Sequence, residues 1–103
     1  MPDRLKGDLV KIGLSEQEAK VYLALLDHYK LSAKEISHIT GIFRTQTYDV
    51  LKSLINKGFC TELLDNVKYY VAIDPELAFK AVIADYDKRS KLAENISRQL
   101  HQT

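Results

Sequence analysis

The chain has one cysteine, two prolines, four glycines and no tryptophan among its 103 residues. A single cysteine, Cys60, cannot form an internal disulfide framework, so we expect an intracellular, cytoplasmic protein. No apolar run approaches the roughly 18 residues that a membrane span needs, and the N-terminus has no apolar stretch typical of a secretory signal. We therefore expect no membrane partner.

The chain also lacks an excess of either charge, since 15 basic residues face 14 acidic ones and the net charge is +1. This balance excludes a histone-like polycation and, taken alone, argues against nucleic acid as a partner. The charges are unevenly distributed, however. Residues 31–58 carry a local charge of +2, and residues 59–76 a local charge of −3. A mildly basic segment thus precedes an acidic one, and DNA is not excluded.

Capping residues and glycines divide the first half of the chain into four predicted helices. A short first helix ends at Gly13, and a capping box at 15–18 opens a second helix that runs to about His28. A second capping box at 32–35 opens a short third helix, in which Ile36 and Ile39 are expected to face the core. The fourth helix is predicted over 45–57 and ends at Gly58.

The periodicity changes after the fourth helix. Residues 59–64 and 67–73 have the pattern of two short strands, with a tight turn at Asp65-Asn66, where asparagine tolerates positive φ. Asp74 and Pro75 are typical of a helix start, and a helix over 75–103 would span about 43 Å. The fold class is therefore mostly α with a small β-hairpin. We expect a winged helix-turn-helix over 1–74 and a coiled-coil-like dimerisation helix over 75–103, within one compact unit.

Four segments resemble the TrmB family of transcriptional regulators, namely 14–26, 32–41, 47–58 and 70–76. The resemblance covers roughly residues 5–80 and implies a DNA-binding regulator. Family members often carry a long sugar-binding effector domain, which this chain, ending at Thr103, is expected to lack, so no small-molecule effector is expected. The sequence departs from the family at Thr47, where an aliphatic residue is common. The turn at 65–67 also departs, because it lacks basic or glycine-rich character.

In this fold the fourth helix lies in the major groove, and its first residues reach the base edges. Arg44 is suited to guanine and Gln46 to adenine. Thr45 is suited to a thymine methyl group or a phosphate. Asp49 could accept a hydrogen bond from cytosine or orient a neighbouring cation. Alternatively, it is only a solvated surface charge. The expected partner is double-stranded DNA.

Phosphate contacts are expected from side chains and from a helix N-terminus. The candidates are Ser32, Lys34, Tyr48, Lys52 and Lys68. Ser32 has a second role as a helix cap, and the main role of Tyr48 is expected to be packing. Because few phosphates would be neutralised by one copy, we expect binding to depend on a dimer.

The last predicted helix supplies the dimerisation surface. Apolar residues recur at steps of three and four, with Arg89 as an exception, over about three heptads. The expected dimerisation residues are Phe79, Val82, Tyr86, Ala93, Ile96 and Leu100. Alternatively, only the start of this helix packs and the rest frays. A two-fold homodimer would bind a pseudo-palindromic operator.

An enzyme is the main competing class, and the sequence offers it little. There is no glycine-rich phosphate loop, and His28, His38 and His101 lie far apart without metal-ligand spacing. Cys60 is expected to be a small apolar strand residue rather than a redox sensor. We predict no enzyme activity, no metal and no cofactor. The serious alternative is a winged-helix module that binds proteins without reading DNA.

Overall fold

The computed structural model describes residues 3–103; Met1 and Pro2, at the start of the predicted 1–74 domain, lie outside the described residues. The described chain forms two compact units, the first ending at Ile73 and the second comprising Asp74–Thr103. The elements are α1 (Asp3–Lys11), α2 (Glu16–Leu26), β1 (Leu31–Ser32), α3 (Ala33–Thr40), α4 (Arg44–Lys57), β2 (Cys60–Leu64), β3 (Lys68–Ala72) and α5 (Pro75–His101). The predicted fold class is confirmed: the chain is mostly helical, with a small sheet and a long last helix.

Both predicted capping boxes are present. At the start of α2 the Ser15 hydroxyl accepts a hydrogen bond from the Glu18 N–H at 3.1 Å, and the Glu18 carboxylate accepts from the Ser15 N–H at 2.8 Å. The same pair of bonds joins Ser32 and Glu35 at the start of α3. Helix α2 ends at Leu26, two residues before the predicted end. The local sequence thus determines where these helices begin.

One face of α3 differs from the prediction. Ile36 is fully buried as expected, but Ile39 is 47% exposed, so its predicted inward orientation is wrong. The buried face instead runs through Ala33, Ile36 and Thr40. Thr40 tolerates burial because its hydroxyl donates to the Ile36 carbonyl at 2.7 Å. A polar side chain can therefore face the core here, because its hydrogen bond is made within its own helix.

The predicted hairpin is present, and a third strand accompanies it. The sheet has the order β1-β3-β2 and is antiparallel throughout. Strand β1 has only two residues, too few for a recognisable alternation. No described residue other than glycine has a positive φ, so Asn66 does not adopt the left-handed conformation that the turn would have tolerated. Leu64 pairs with Lys68, which leaves a three-residue loop rather than a two-residue turn.

The core of the first unit lies between α2, α3, α4 and the sheet. The rings of Tyr22 and Phe59 meet edge to face with centroids 5.1 Å apart, and the Tyr22 hydroxyl donates to the Ile73 carbonyl at 3.1 Å. Leu51 and Leu54 present the inner face of α4. Each such fully buried side chain contributes about 1.5–3 kcal/mol relative to exposure. This packing fixes α4 with its opposite face in solvent.

An ion pair attaches the end of α4 to the start of α2. The Lys57 ammonium lies 2.7 Å from the buried Glu18 carboxylate and 3.2 Å from the Gly13 carbonyl. Burial alone would raise the pKa of Glu18, but the bonds from Lys57, Ser53 and the Ser15 N–H lower it below its ordinary value. Glu18 is therefore charged at neutral pH, and it fixes the direction of α4.

The second unit is α5, a helix of 27 residues. Asp74 is its N-cap, as predicted, although its side chain makes no capping bond, and Pro75 lies in the first turn. Two pairs one turn apart, Asp85–Arg89 and Asp87–Lys91, join carboxylates to cations along its surface. Of the helices in the described part of the chain, none is both long and apolar enough to cross a membrane.

Candidate nucleic-acid interface

A cleft of about 410 Å³ separates the starts of α3 and α4 from the hairpin. We call it the helix–wing cleft. Its lining residues are Ser32, Ala33, Lys34, Arg44, Tyr48, Val67, Lys68 and Tyr70. Five of the nine residues that the sequence suggested for DNA contact therefore lie around one cavity, although they come from three separate segments of the chain.

The small strand β1 explains why these segments meet. Leu31 pairs with Tyr70 and Ser32 with Tyr69, so the start of α3 is held against β3. On the connection before β1, the Lys30 ammonium lies 3.6 Å from the Asp65 carboxylate and 4.3 Å from the centre of the Tyr69 ring. These contacts fix the hairpin beside the helix-turn-helix and neutralise part of its acidic charge.

The helix–wing cleft is positively charged. Lys34, Arg44 and Lys68 line it, and among the described residues no carboxylate does. Lys68 is partly neutralised by Glu62, whose carboxylate lies 3.6 Å away across the strand pair. Burial, and after it the charge of Glu62, raises the pKa of Tyr70 above its ordinary value, so its phenol stays protonated. The cleft thus offers cations and a neutral hydroxyl to an anion.

The other predicted contact residues on α4 lie outside the cleft. Thr45, Gln46 and Asp49 are exposed on the first two turns. The Gln46 side-chain oxygen accepts a 3.4 Å hydrogen bond from Gln17 on α2, an interaction the sequence did not suggest. Lys52 borders a second, smaller depression of about 320 Å³ that Glu62 also lines. The solvent-exposed side of α4 is therefore polar along its length.

Two lining residues of the cleft, Val67 and Tyr70, were not predicted from the sequence as contact residues. Val67 and Tyr70 are residue types typical of strands, and nothing else in the sequence around them indicates a contact with DNA. The pairing of Tyr70 with Leu31 would have indicated its position, but a two-residue strand carries no readable pattern.

The predicted role of Cys60 agrees with its environment. The thiol is buried in the first residue of β2, 4.0 Å from the Leu51 carbonyl. Burial, with a smaller effect from the charge of Glu62, raises its pKa to about 12. The thiolate, which is the reactive form, is therefore scarce at neutral pH. No group of histidine, cysteine and carboxylate side chains that could hold a metal occurs among residues 3–103.

Comparisons with known proteins point to one family. The family model described as sugar-specific transcriptional regulator TrmB matches residues 9–76. The chain is 31% identical over 105 residues to the HTH-type sugar sensing transcriptional regulator TrmBL1 of Pyrococcus furiosus, covering 98% of this chain and 31% of that protein. It is 32% identical over 78 residues to the DNA-binding HTH-type transcriptional repressor TrmBL2 of Thermococcus kodakarensis, covering 76% of this chain and 30% of that protein. The chain thus spans about a third of the length of these relatives.

Solved structures agree with the sequence matches. The structure of TrmBL2, reported as an archaeal chromatin protein with a novel mode of DNA binding, superposes with a TM-score of 0.89 at 27% identity over 97% of this chain and 40% of that one. A MarR family regulator of Silicibacter pomeroyi has the same fold, with a TM-score of 0.63 at 14% identity over 93% of this chain and 72% of that one. The TrmB relatives matched by sequence are transcriptional regulators rather than enzymes, and the chain belongs to the TrmB family.

Proposed function

We propose that this chain acts as a homodimer, binds a pseudo-palindromic operator in double-stranded DNA and regulates transcription in the cytoplasm. In this proposal α4 lies in the major groove. The observation that carries it is the helix–wing cleft, in which Lys34, Arg44 and Lys68 meet without an opposing carboxylate among the described lining residues. Membership of a transcription-regulator family supports it.

The exposed face of α4 supplies base contacts. Arg44 and Gln46, on its first turn, match guanine and adenine edges, while Thr45 matches a thymine methyl group or a phosphate. Asp49 and Lys52, one to two turns further on, are suited to a cytosine amino group and to a phosphate. The buried face through Leu51 and Leu54 holds the helix while its other side enters the groove.

The helix–wing cleft receives a backbone phosphate. Lys34 and Lys68 approach it from α3 and from β3, while Tyr48 and Tyr70 contribute hydroxyl groups. The Ser32–Glu35 capping box occupies the backbone N–H groups of Ser32 and Glu35. The anion lies at the start of α3, the positive end of its helix dipole. This contact fixes the protein on the DNA without reading sequence.

The test of DNA binding is a salt titration of fluorescence anisotropy with labelled duplexes of roughly 30 base pairs, about three turns of DNA. One phosphate at each helix–wing cleft and one at each Lys52 give four neutralised phosphates in a dimer, so we expect log K to fall with log salt with a slope of about −4. Changing Lys34, Arg44 and Lys68 together to Gln should abolish about half of this dependence. Matched variants of Lys11, Lys80 and Lys88, which alter net charge equally, should retain it.

Two results would contradict the proposal in different ways. If the cleft variant binds as tightly as the unchanged protein, the phosphate does not lie in the cleft. If the unchanged protein binds no duplex even at low salt, DNA is not the partner. The chain would then fit the predicted alternative of a protein-binding module, which the 75% exposure of Leu64 and the exposed Val67 in the hairpin favour.

Homodimerisation is proposed to use α5. Tyr86, Ile96 and Leu100 are each at least 45% exposed, although they follow an apolar heptad spacing. The other members of the dimerisation set are Phe79, Val82 and Ala93. A second copy of α5 would bury this stripe.

The dimer is tested by light scattering. Changing Ile96 and Leu100 together to Asp should give monomers, because four carboxylates would be placed in the buried stripe of each dimer. Leu77 is also exposed but lies on the opposite side of α5 from the stripe, so Leu77→Asp should remain dimeric. A dimer that persists in the double variant would place the interface on another surface.

A further inference from the structure

Phe43 is an exposed aromatic residue at the tip of α4. It is the N-cap of that helix, its side chain is 77% exposed, and no side-chain capping bond is present. N-caps are usually Ser, Thr, Asp or Asn, and losing such a cap costs typically ~1 kcal/mol. Helices α2 and α3 in the same unit both have full capping boxes. Neither core packing nor helix stability therefore explains phenylalanine here.

The backbone that carries this phenyl ring is rigidly held. The Phe43 carbonyl accepts hydrogen bonds from the Thr47 N–H at 2.9 Å and from the Thr47 hydroxyl at 3.0 Å. The preceding Ile42 carbonyl accepts from the Ser37 hydroxyl at 2.5 Å, and the Ile42 N–H donates to the Thr40 hydroxyl at 3.3 Å. A side chain with only two rotatable bonds on a fixed backbone loses little entropy when it makes a contact.

The chemistry of the ring limits what it can recognise. Phe43 directly precedes Arg44 at the end of α4 that, in the proposed function, meets the base edges. A phenyl ring has no hydrogen-bond donor or acceptor. In the major groove the apolar feature of a base edge is the C5-methyl group of thymine. Intercalating apolar wedges act from the minor groove, which α4 would not enter.

We propose that Phe43 is a specificity-determining residue that contacts the C5-methyl group of one thymine in each half-site, beside the base contacted by Arg44. The inference rests on the proposed function. It adds a discrimination that hydrogen bonds alone cannot supply, because removal of a methyl group leaves every hydrogen-bonding group of the base unchanged.

The experiment uses the full chain and a duplex selected by the protein from a random pool. Each thymine is replaced in turn by deoxyuridine, which removes only the methyl group. For the unchanged protein we expect one position in each half-site where replacement weakens binding about threefold to fivefold, the effect of losing one buried methyl contact. Phe43→Ala should bind the thymine and uracil duplexes equally.

Two matched variants test whether a different side chain makes the methyl contact. Tyr29→Ala removes another exposed aromatic side chain, 79% exposed and remote in sequence from α4, and should retain the methyl dependence. Thr45→Ser removes the methyl group of the second residue suited to a thymine methyl contact and should also retain the methyl dependence. A third comparison replaces the critical thymine by cytosine or by 5-methylcytosine. The unchanged protein should bind the 5-methylcytosine duplex more tightly than the cytosine duplex, whereas Phe43→Ala should bind the two equally.

Each remaining result would overturn the inference. Duplex binding in which no uracil substitution matters, or matters equally in Phe43→Ala, would refute the role of Phe43 while leaving DNA binding intact. A pool that yields no preferred sequence would refute specificity determination as a whole. Absence of any duplex binding by the unchanged protein would refute the proposed function and this inference together.

Discussion

Lys57→Met tests whether the ion pair between α2 and α4 holds α4 in place. The Glu18 side chain is 6% exposed and the Lys57 side chain 40%, with 2.7 Å between Oε1 and Nζ. Methionine keeps most of the aliphatic stem and removes the charge. Losing a hydrogen bond to a charged group costs about 1.5–3 kcal/mol. Because Lys57 is partly hydrated, we expect the lower half of that range, about 2 kcal/mol.

The assay is thermal and urea unfolding followed by circular dichroism at one fixed protein concentration, since a dimer makes stability depend on concentration. A loss of about 2 kcal/mol corresponds to a decrease in Tm of roughly 8–16 °C for a domain of this size. Lys52→Met is the matched control, because it removes the same charge from an exposed position on the same helix. We expect it to change the free energy of unfolding by less than about 0.5 kcal/mol.

The pH dependence gives a sharper test of the same pair. The pKa of Glu18 is lowered in the folded state, so its contribution is fully present above the ordinary value of 4.5 and is lost as pH falls through the folded pKa. Lys57→Met removes one of the groups that lower the pKa of Glu18 and leaves the raising effect of burial, so the pKa of Glu18 should rise. The difference between variant and unchanged protein should therefore be largest near pH 7 and shrink below about pH 4.5. A difference independent of pH, or one below about 0.5 kcal/mol at neutral pH, would show that the ion pair does not hold α4.

Three further predictions follow from burial and exposure. Leu54→Ala should lower the free energy of unfolding by about 2–5 kcal/mol in urea titrations, whereas Leu64→Ala, at a largely exposed position, should change it by less than about 0.5 kcal/mol. The Cys60 thiol should react with an aromatic disulfide reagent at mildly alkaline pH far more slowly than in urea, because its pKa is raised to about 12; equal rates would contradict its burial. Arg44→Ala should weaken binding to the selected duplex by about 1–3 kcal/mol relative to random DNA, and an unchanged ratio would remove Arg44 from base recognition.

Local signals determined most of the first unit. Ser15 and Ser32 each precede a glutamate by three residues, and both begin helices because the capping bonds lie within four residues. Gly41 and Gly58 adopt positive φ where helices end, a conformation that glycine reaches without strain. Such features need no tertiary contact, and the sequence predicted them within a residue or two.

The predictions failed for features whose structure depends on residues distant in the sequence. Ile39 and Thr40 lie on adjoining sides of α3, and either side could have faced the core. The packing of the rest of the domain decided that Thr40 is the buried one. Strand β1 exists only because β3 supplies its partner, since two residues cannot form a strand alone. The conformation of Asn66 followed from the register of the hairpin, which fixed a three-residue loop.

The sequence by itself determined the order of the helices and of the hairpin, the family and the polar character of the α4 surface. Only the tertiary structure decided that Lys34, Arg44 and Lys68 share one cleft, and that Glu18, a capping residue in sequence terms, also holds Lys57. Caps and periodicity act between neighbours along the chain, so they can be read from the order of residues. The electrostatic surface depends on which segments the core brings together, and the packing of β1 against β3 decided that.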